Sequence, residues 1–189
     1  RFSGTLPRPA AEGGFYRDVA LLAVREITPP ATPAIEDFDM KRLVWLNYIR
    51  WEGTESAPHD AELPADLCIP REHVVDLTKL MSPDGRLVWD APPGTWTLLR
   101  IGHTWTGQKT LPATPDSEGP ECDKLDPRGI RTHFDPVMRR MVDLAGPAAG
   151  KAFHTFFVDS WEAGGQNWTA RMPEEFQRRR GYDLTPFLP

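Results

Sequence analysis

The segment Val158-Asp159-Ser160-Trp161-Glu162, followed by Gln166-Asn167-Trp168-Thr169, gathers the side chains of this sequence best suited to chemistry. Carboxyls move protons, amides hydrogen-bond to hydroxyls, and indoles stack on the apolar faces of sugar rings. The combination points to carbohydrate chemistry. Hydrolysis of a glycosidic bond needs one carboxylic acid to protonate the leaving oxygen and a second carboxylate to activate water or attack the sugar. Glu162 is the leading candidate for the acid. Trp161 or Trp168 beside it would raise its pKa by excluding water, as proton donation near neutral pH requires. Asp159 is suited to orienting Glu162, binding a sugar hydroxyl or holding a metal, and equally to capping the backbone. Gln166 and Asn167 can each offer bidentate bonds to vicinal hydroxyls, although isolated loop amides also serve as caps. Trp161 and Trp168 would supply the stacking surfaces.

A second group is acidic: Glu121, Asp123, Asp126 and Asp135. Closely spaced oxygen ligands suit Ca²⁺, but the spacing is not that of an EF-hand. Asp126 has a sufficient role as a helix N-cap, and Lys124 can pair with Asp123 or reach a substrate. The run His103-Thr104-Trp105-Thr106-Gly107 could line the same cleft or form an ordinary domain junction. The histidines, at 59, 73, 103, 133 and 154, have no zinc-ligand spacing. No nucleophile elbow, P-loop or dinucleotide fingerprint occurs. Cys68 and Cys122 cannot by themselves define a disulfide framework or a metal cluster.

These residues need elements to position them. Phe156-Phe157-Val158 reads as a buried strand ending in the polar loop that Gly164 and Gly165 soften. At such a strand end an α/β barrel carries its active site. Asp126-Pro127 starts a helix, with Asp as cap and Pro at the first helical position. Ile130, Phe134, Val137, Met138, Met141 and Leu144 recur at helical spacing until Gly146-Pro147 stops them. A second helix is predicted from Pro173 to Arg180, with Glu174 and Glu175 in its first turn, Arg178 to Arg180 in its last and Gly181 as its C-terminal stop. This helix, strand, loop, helix order is βα grammar.

The first half reads differently. Val19–Val24, Leu43–Arg50, Val74–Leu77, Arg86–Asp90 and Thr95–Gly102 are strand candidates, the last two pairing around Pro92-Pro93-Gly94. Thr28–Asp37 is a Pro-rich linker, and Pro83-Asp84-Gly85 is a turn. Short strands separated by Gly/Pro turns suggest a sandwich or jelly roll. The expected fold is therefore mixed β plus α/β. A jelly-roll-like β-sandwich covers residues 1–108, a linking loop covers 109–125, and part of a TIM-like α/β barrel covers 126–189 and carries the active-site loop. The last segment is too short to close a barrel, which takes about 250 residues.

The chain has 189 residues and a net charge of -5, with 22 Lys and Arg against 27 Asp and Glu. That balance disfavours a nucleic-acid partner. No apolar run reaches the ~20 residues of a membrane span, and no signal-peptide pattern occurs. The chain starts at Arg1 and both ends read as cut, so a fragment of a longer protein is expected. The 7 Trp fit either a β-sandwich core or carbohydrate platforms. A non-catalytic carbohydrate-binding module using Trp45, Trp89 or Trp96 is the competing reading, although alternation suggests that Trp89 and Trp96 are core. A third is a structural cell-surface domain whose acidic loop binds Ca²⁺.

An ordered set of short motifs over roughly residues 70–189 resembles the family 106 glycoside hydrolases, the α-L-rhamnosidases. The set is Asp84-Gly85-Arg86-Leu87-Val88-Trp89, Pro93-Gly94-Thr95-Trp96-Thr97-Leu98-Leu99-Arg100, Thr104-Trp105-Thr106-Gly107, Glu121-Cys122-Asp123-Lys124, Asp159-Ser160-Trp161-Glu162, Gln166-Asn167-Trp168-Thr169 and Arg179-Arg180-Gly181-Tyr182-Asp183. The resemblance implies a large multidomain enzyme with an α/β-barrel catalytic domain and accessory β-sandwiches. It implies inverting release of terminal α-L-rhamnose from plant glycans or glycosides, with Ca²⁺ at the site, in a secreted or periplasmic bacterial protein. Glu162 stands at the motif position of the general acid. The general base would lie in the remainder of the parent chain, so the isolated 189 residues are expected to be inactive.

Overall fold

A computed structural model describes residues 1–26, 68–105, 107, 109–110, 112–158 and 166–189. The expected strand Leu43–Arg50, the linker Thr28–Asp37, and Asp159, Trp161 and Glu162 lie outside the described residues.

The first half is built from antiparallel strands: β1 (Phe2–Thr5), β2 (Arg17–Arg25), β3 (Val74–Asp76), β4 (Arg86–Trp89) and β5 (Trp96–His103). They form two sheets, β1 with β4, and β3-β2-β5 with β2 in the centre. β2 is the apolar run expected from the sequence. Its residues Ala20 to Ala23 are fully buried, as a strand covered on both faces must be. Leu21 and Ala23 of β2 meet Leu87 of β4 and Leu77 in one core that spans the two sheets, with Trp89 and Trp96 packed against it.

The expected pairing of 86–90 with 95–102 does not occur. β4 pairs with β1, in the register Phe2 to Trp89, and β5 pairs with β2. Pro92 and Pro93 intervene, and Gly94 turns the chain at φ 136°, so the two strands part into different sheets. Their indoles still meet: Trp89 and Trp96 pack edge to face with centroids 5.3 Å apart, and Trp96 Nε1 donates to the Pro92 carbonyl. These rings pack against the core, as the alternation suggested, and are not free platforms for the binding-module reading; Trp45 lies outside the described residues.

The second half is helical. α1 (Pro127–Phe134) begins as expected, with the Asp126 side chain accepting from the Arg128 N–H. It does not run through to residue 145. A π-turn over Asp135–Arg139 separates it from α2 (Arg140–Ala145). Pro136 is the cause, since an interior proline removes an amide donor and its ring collides with the preceding turn. Gly146 (φ 50°) ends α2. α3 (Met172–Arg180) ends at Gly181 in the left-handed conformation. The following turn, Thr185–Phe187, returns to β3.

Phe156-Phe157-Val158 was expected as a buried strand, and here it is not. Phe157 is 85% and Val158 74% exposed, and neither lies in a ladder. Only Phe156 is held, edge to face against Phe134 and Phe153. An apolar run becomes a strand only where another strand supplies its hydrogen bonds, and none does among the described residues.

Candidate active site

The candidate site forms where the loop before α1 meets the chain that follows the 159–165 segment. Asp123 is its centre. Its Oδ1 accepts from the Gln166 side-chain amide and from the Leu125 N–H at 3.0 Å, and its Oδ2 accepts from Thr169 Oγ1 at 2.9 Å. Gln166 is used from both ends. Its Oε1 accepts from the Lys124 N–H at 3.0 Å while its Nε2 donates to Asp123. Thr169 is only 4% exposed. A buried hydroxyl with a carboxylate acceptor forms a charge-assisted bond, among the stronger kinds of hydrogen bond.

The same loop is fitted closely to α1. A Cβ on Gly129 would run into the backbone carbonyl of Asp123. Glycine therefore sits in this helix because the loop's backbone lies against it, and not for a turn. Asp126 is buried beneath, and its carboxyl is held below the ordinary range chiefly by the Arg128 guanidinium.

From the sheet side, His103 closes β5 against Phe15, edge to face at 5.8 Å. Burial pushes its imidazole below its ordinary pKa, while the charge of Asp123 pulls the other way. Thr104 Oγ1 donates to the Phe15 carbonyl at 2.7 Å. The charge of Asp123 is thus felt at the end of β5.

The residues proposed from sequence are distributed as follows. Gln166 is brought in, but as a fastener whose amide is directed to protein groups. Asn167 is exposed and Trp168 half-buried beside it. Lys124, open from the sequence to pairing with Asp123 or reaching a substrate, pairs through Nζ with Glu121 Oε2 at 3.1 Å. Asp159, Trp161 and Glu162 lie outside the described residues. Sequence reasoning missed Thr169 and Gly129. Gly129 did leave a signal, a glycine one turn into a helix that otherwise has strong start signals.

The acidic group does not assemble into a cation site. Glu121 is matched by Lys124, Asp126 by Arg128 and Asp135 by Arg139, and Asp123 is bonded to Gln166 and Thr169. Among the described residues no three or more Asp, Glu, His or Cys converge. These side chains do not fit the Ca²⁺ that the resemblance implies.

Across residues 8–189 the chain matches glycoside hydrolase family 106, described as alpha-L-rhamnosidase. It belongs to that family. The match covers both halves, including the Asp123 loop and the 166–169 segment. A rhamnosidase from Novosphingobium sp. PP1Y shares 39% identity and a TM-score of 0.56 over 64% of this chain and 12% of its own. A protein of Formosa agariphila with the provisional name β-glucuronidase is 33% identical over 97% of this chain and 15% of its own. The family 106 chain described here thus spans less than a sixth of either relative.

Proposed function

We propose that this chain supplies part of the active site of an inverting α-L-rhamnosidase. Glu162 is its general acid, and its general base lies on another part of the enzyme. The observation that carries this reading is the seating of Gln166 and Thr169 on Asp123, directly after the acid-bearing segment, in a chain of a glycosidase family. Glu162 stands four residues before Gln166 in the sequence.

In this reading the glycosidic oxygen takes a proton from Glu162 as the bond to the anomeric carbon breaks. Water, activated by the distant base, attacks from the opposite face. The two carboxyls stand roughly 6.5–9.5 Å apart to admit it. Trp161, Trp168 and Asn167 face the sugar, with Asp159 and Lys124 as further polar contacts. The two sheets with their common core support a β-sandwich over residues 1–108. The bridge of Lys109 to Pro120 closes the linking loop of 109–125. Residues 126–189 form part of an α/β barrel. The substrate is a plant-derived glycan with terminal α-L-rhamnose, met outside the cytoplasm by a secreted or periplasmic enzyme. Ca²⁺ at the site takes ligands other than the set Glu121, Asp123, Asp126 and Asp135.

The name of the Formosa relative favours a second reading, cleavage of a β-glucuronide. Release of sugar from an aryl α-L-rhamnoside and an aryl β-D-glucuronide by the full-length enzyme separates the two. The rhamnoside is the expected substrate, and Glu162→Gln is expected to lose roughly a hundredfold or more on it. Parallel assays with added Ca²⁺ and with chelator read the metal. Turnover of the glucuronide alone, or an unaffected Glu162→Gln variant, would overturn the proposal.

A further inference from the structure

We infer that Asp123 is a positioning residue for Asn167 and Trp168, and that its clasp holds this amide and indole as one preformed sugar-binding unit. The inference takes the identity of the sugar from the rhamnosidase reading above and needs nothing from Glu162.

A carboxylate in a family of carboxylate-using enzymes invites assignment to substrate or metal. The bonding of Asp123 argues for a different task. Both of its oxygens accept from protein donors, Gln166 and Leu125 on one and Thr169 on the other. Residues 166 and 169 are thus tied to the two oxygens of one carboxylate, and Asn167 and Trp168 are all the chain between the ties. This short arch is held elsewhere too. The Lys124 N–H donates to Gln166 Oε1 at 3.0 Å, and Gln166 Nε2 also reaches the Trp168 carbonyl at 3.4 Å. The Thr169 carbonyl accepts from the Met172 N–H at 3.1 Å, which joins the arch to the start of α3. The base of the clasp is fixed in turn, because Gly129 lets α1 lie directly against the Asp123 carbonyl.

The two amides of the arch differ. That of Gln166 is consumed by protein on both sides. Asn167 is exposed, and its side chain has no hydrogen-bond partner among the described residues. Trp168 beside it is half-buried. An unclaimed amide donates and accepts at once, as two neighbouring hydroxyls require, and an indole adds a large apolar surface with a polar edge. Held in place beforehand, both avoid the ordering cost that a flexible loop meets on binding.

The full-length enzyme and its Asp123→Asn, Thr169→Val, Thr169→Ser and Asn167→Ala variants are compared on p-nitrophenyl α-L-rhamnoside, with L-rhamnose as the competing ligand. Asp123→Asn, Thr169→Val and Asn167→Ala are each expected to raise KM and the inhibition constant of L-rhamnose roughly 5- to 50-fold, with a smaller change in kcat. Thr169→Ser keeps the hydroxyl and is expected to recover most of the loss. Asn167→Ala added to Thr169→Val is expected to cost little more than either alone, since an amide no longer held contributes little. Unchanged KM in both Asp123→Asn and Thr169→Val, equal losses in Thr169→Val and Thr169→Ser, or fully additive losses in the double variant would overturn the positioning role and leave the rhamnosidase reading standing. A wild-type enzyme that turns over no rhamnoside would overturn that reading and this inference with it. Should Asp123→Asn fail to fold, Thr169→Val carries the comparison, since it removes one hydroxyl and keeps the side-chain shape.

Discussion

Arg100 is a nearly buried charge held by several partners. Its guanidinium makes a bidentate pair with Asp18, at 2.8 and 2.9 Å, and donates to the Leu6 carbonyl at 2.8 Å. Its side chain is only 9% exposed. Tyr16 donates to the same Asp18 carboxylate at 3.0 Å. The bond to Arg100 is the main reason that Asp18 is held below the ordinary carboxylate range. Folding thus favours the ionised form. This contribution is complete above the ordinary pKa near 4 and is lost as pH falls through the lower folded value. Asp18→Asn strands a nearly buried guanidinium and is expected to cost about 2–3 kcal/mol. Urea midpoints measured from pH 7 downward check both points: the variant starts lower and shows a shallower fall in acid. None of this network was legible in the sequence, because its members lie up to 94 positions apart. The same limit explains Gln166. An amide among indoles reads as a sugar ligand until Asp123, 43 residues away, is seen to claim it.

Among the elements, local signals are legible in the sequence and strand pairing is not. Asp126-Pro127, Gly146-Pro147 and Gly181 bound their helices where expected, because capping depends on neighbours within a few residues. Pro136 is masked by a good apolar period, which continues on both sides of the π-turn it creates. Strand partners depend on distant segments, so β4 and β5 were placed in one hairpin when they belong to two sheets. The fit of α1 to the Asp123 loop gives a prediction of unusual sign. Gly→Ala inside a helix normally stabilises by up to about 1 kcal/mol. Gly129→Ala is instead expected to destabilise by about 1–3 kcal/mol, because the added methyl meets backbone that cannot move aside cheaply. Denaturant midpoints of the two proteins decide the sign.

The whole molecule carries an uneven surface. Ile130, Val137, Met141, Leu144, Phe157 and Val158 are all exposed, on the helical half that the reading assigns to a partial barrel. Scattered apolar residues are ordinary on a surface, whereas large ones that form a contiguous patch mark a contact face, and the prediction here is that these do. The 189 residues alone are expected to bind a hydrophobic dye such as ANS, to self-associate with rising concentration, and to show no rhamnoside turnover. Dye fluorescence, light scattering and the aryl rhamnoside assay check this. A dye-silent monomer would mean that the face is covered from within, and turnover would mean that the base is already present.

Every strand among the described residues takes its partners from afar. β2 lies between strands at 74–76 and 96–103, and β1 waits for 86–89. During synthesis, the stretch Ala20–Val24 leaves the ribosome long before β5 exists to cover it. The sheet is therefore a late product of translation, slow to close as non-local pairings are, and a strongly apolar segment must be kept from other nascent chains in the interval.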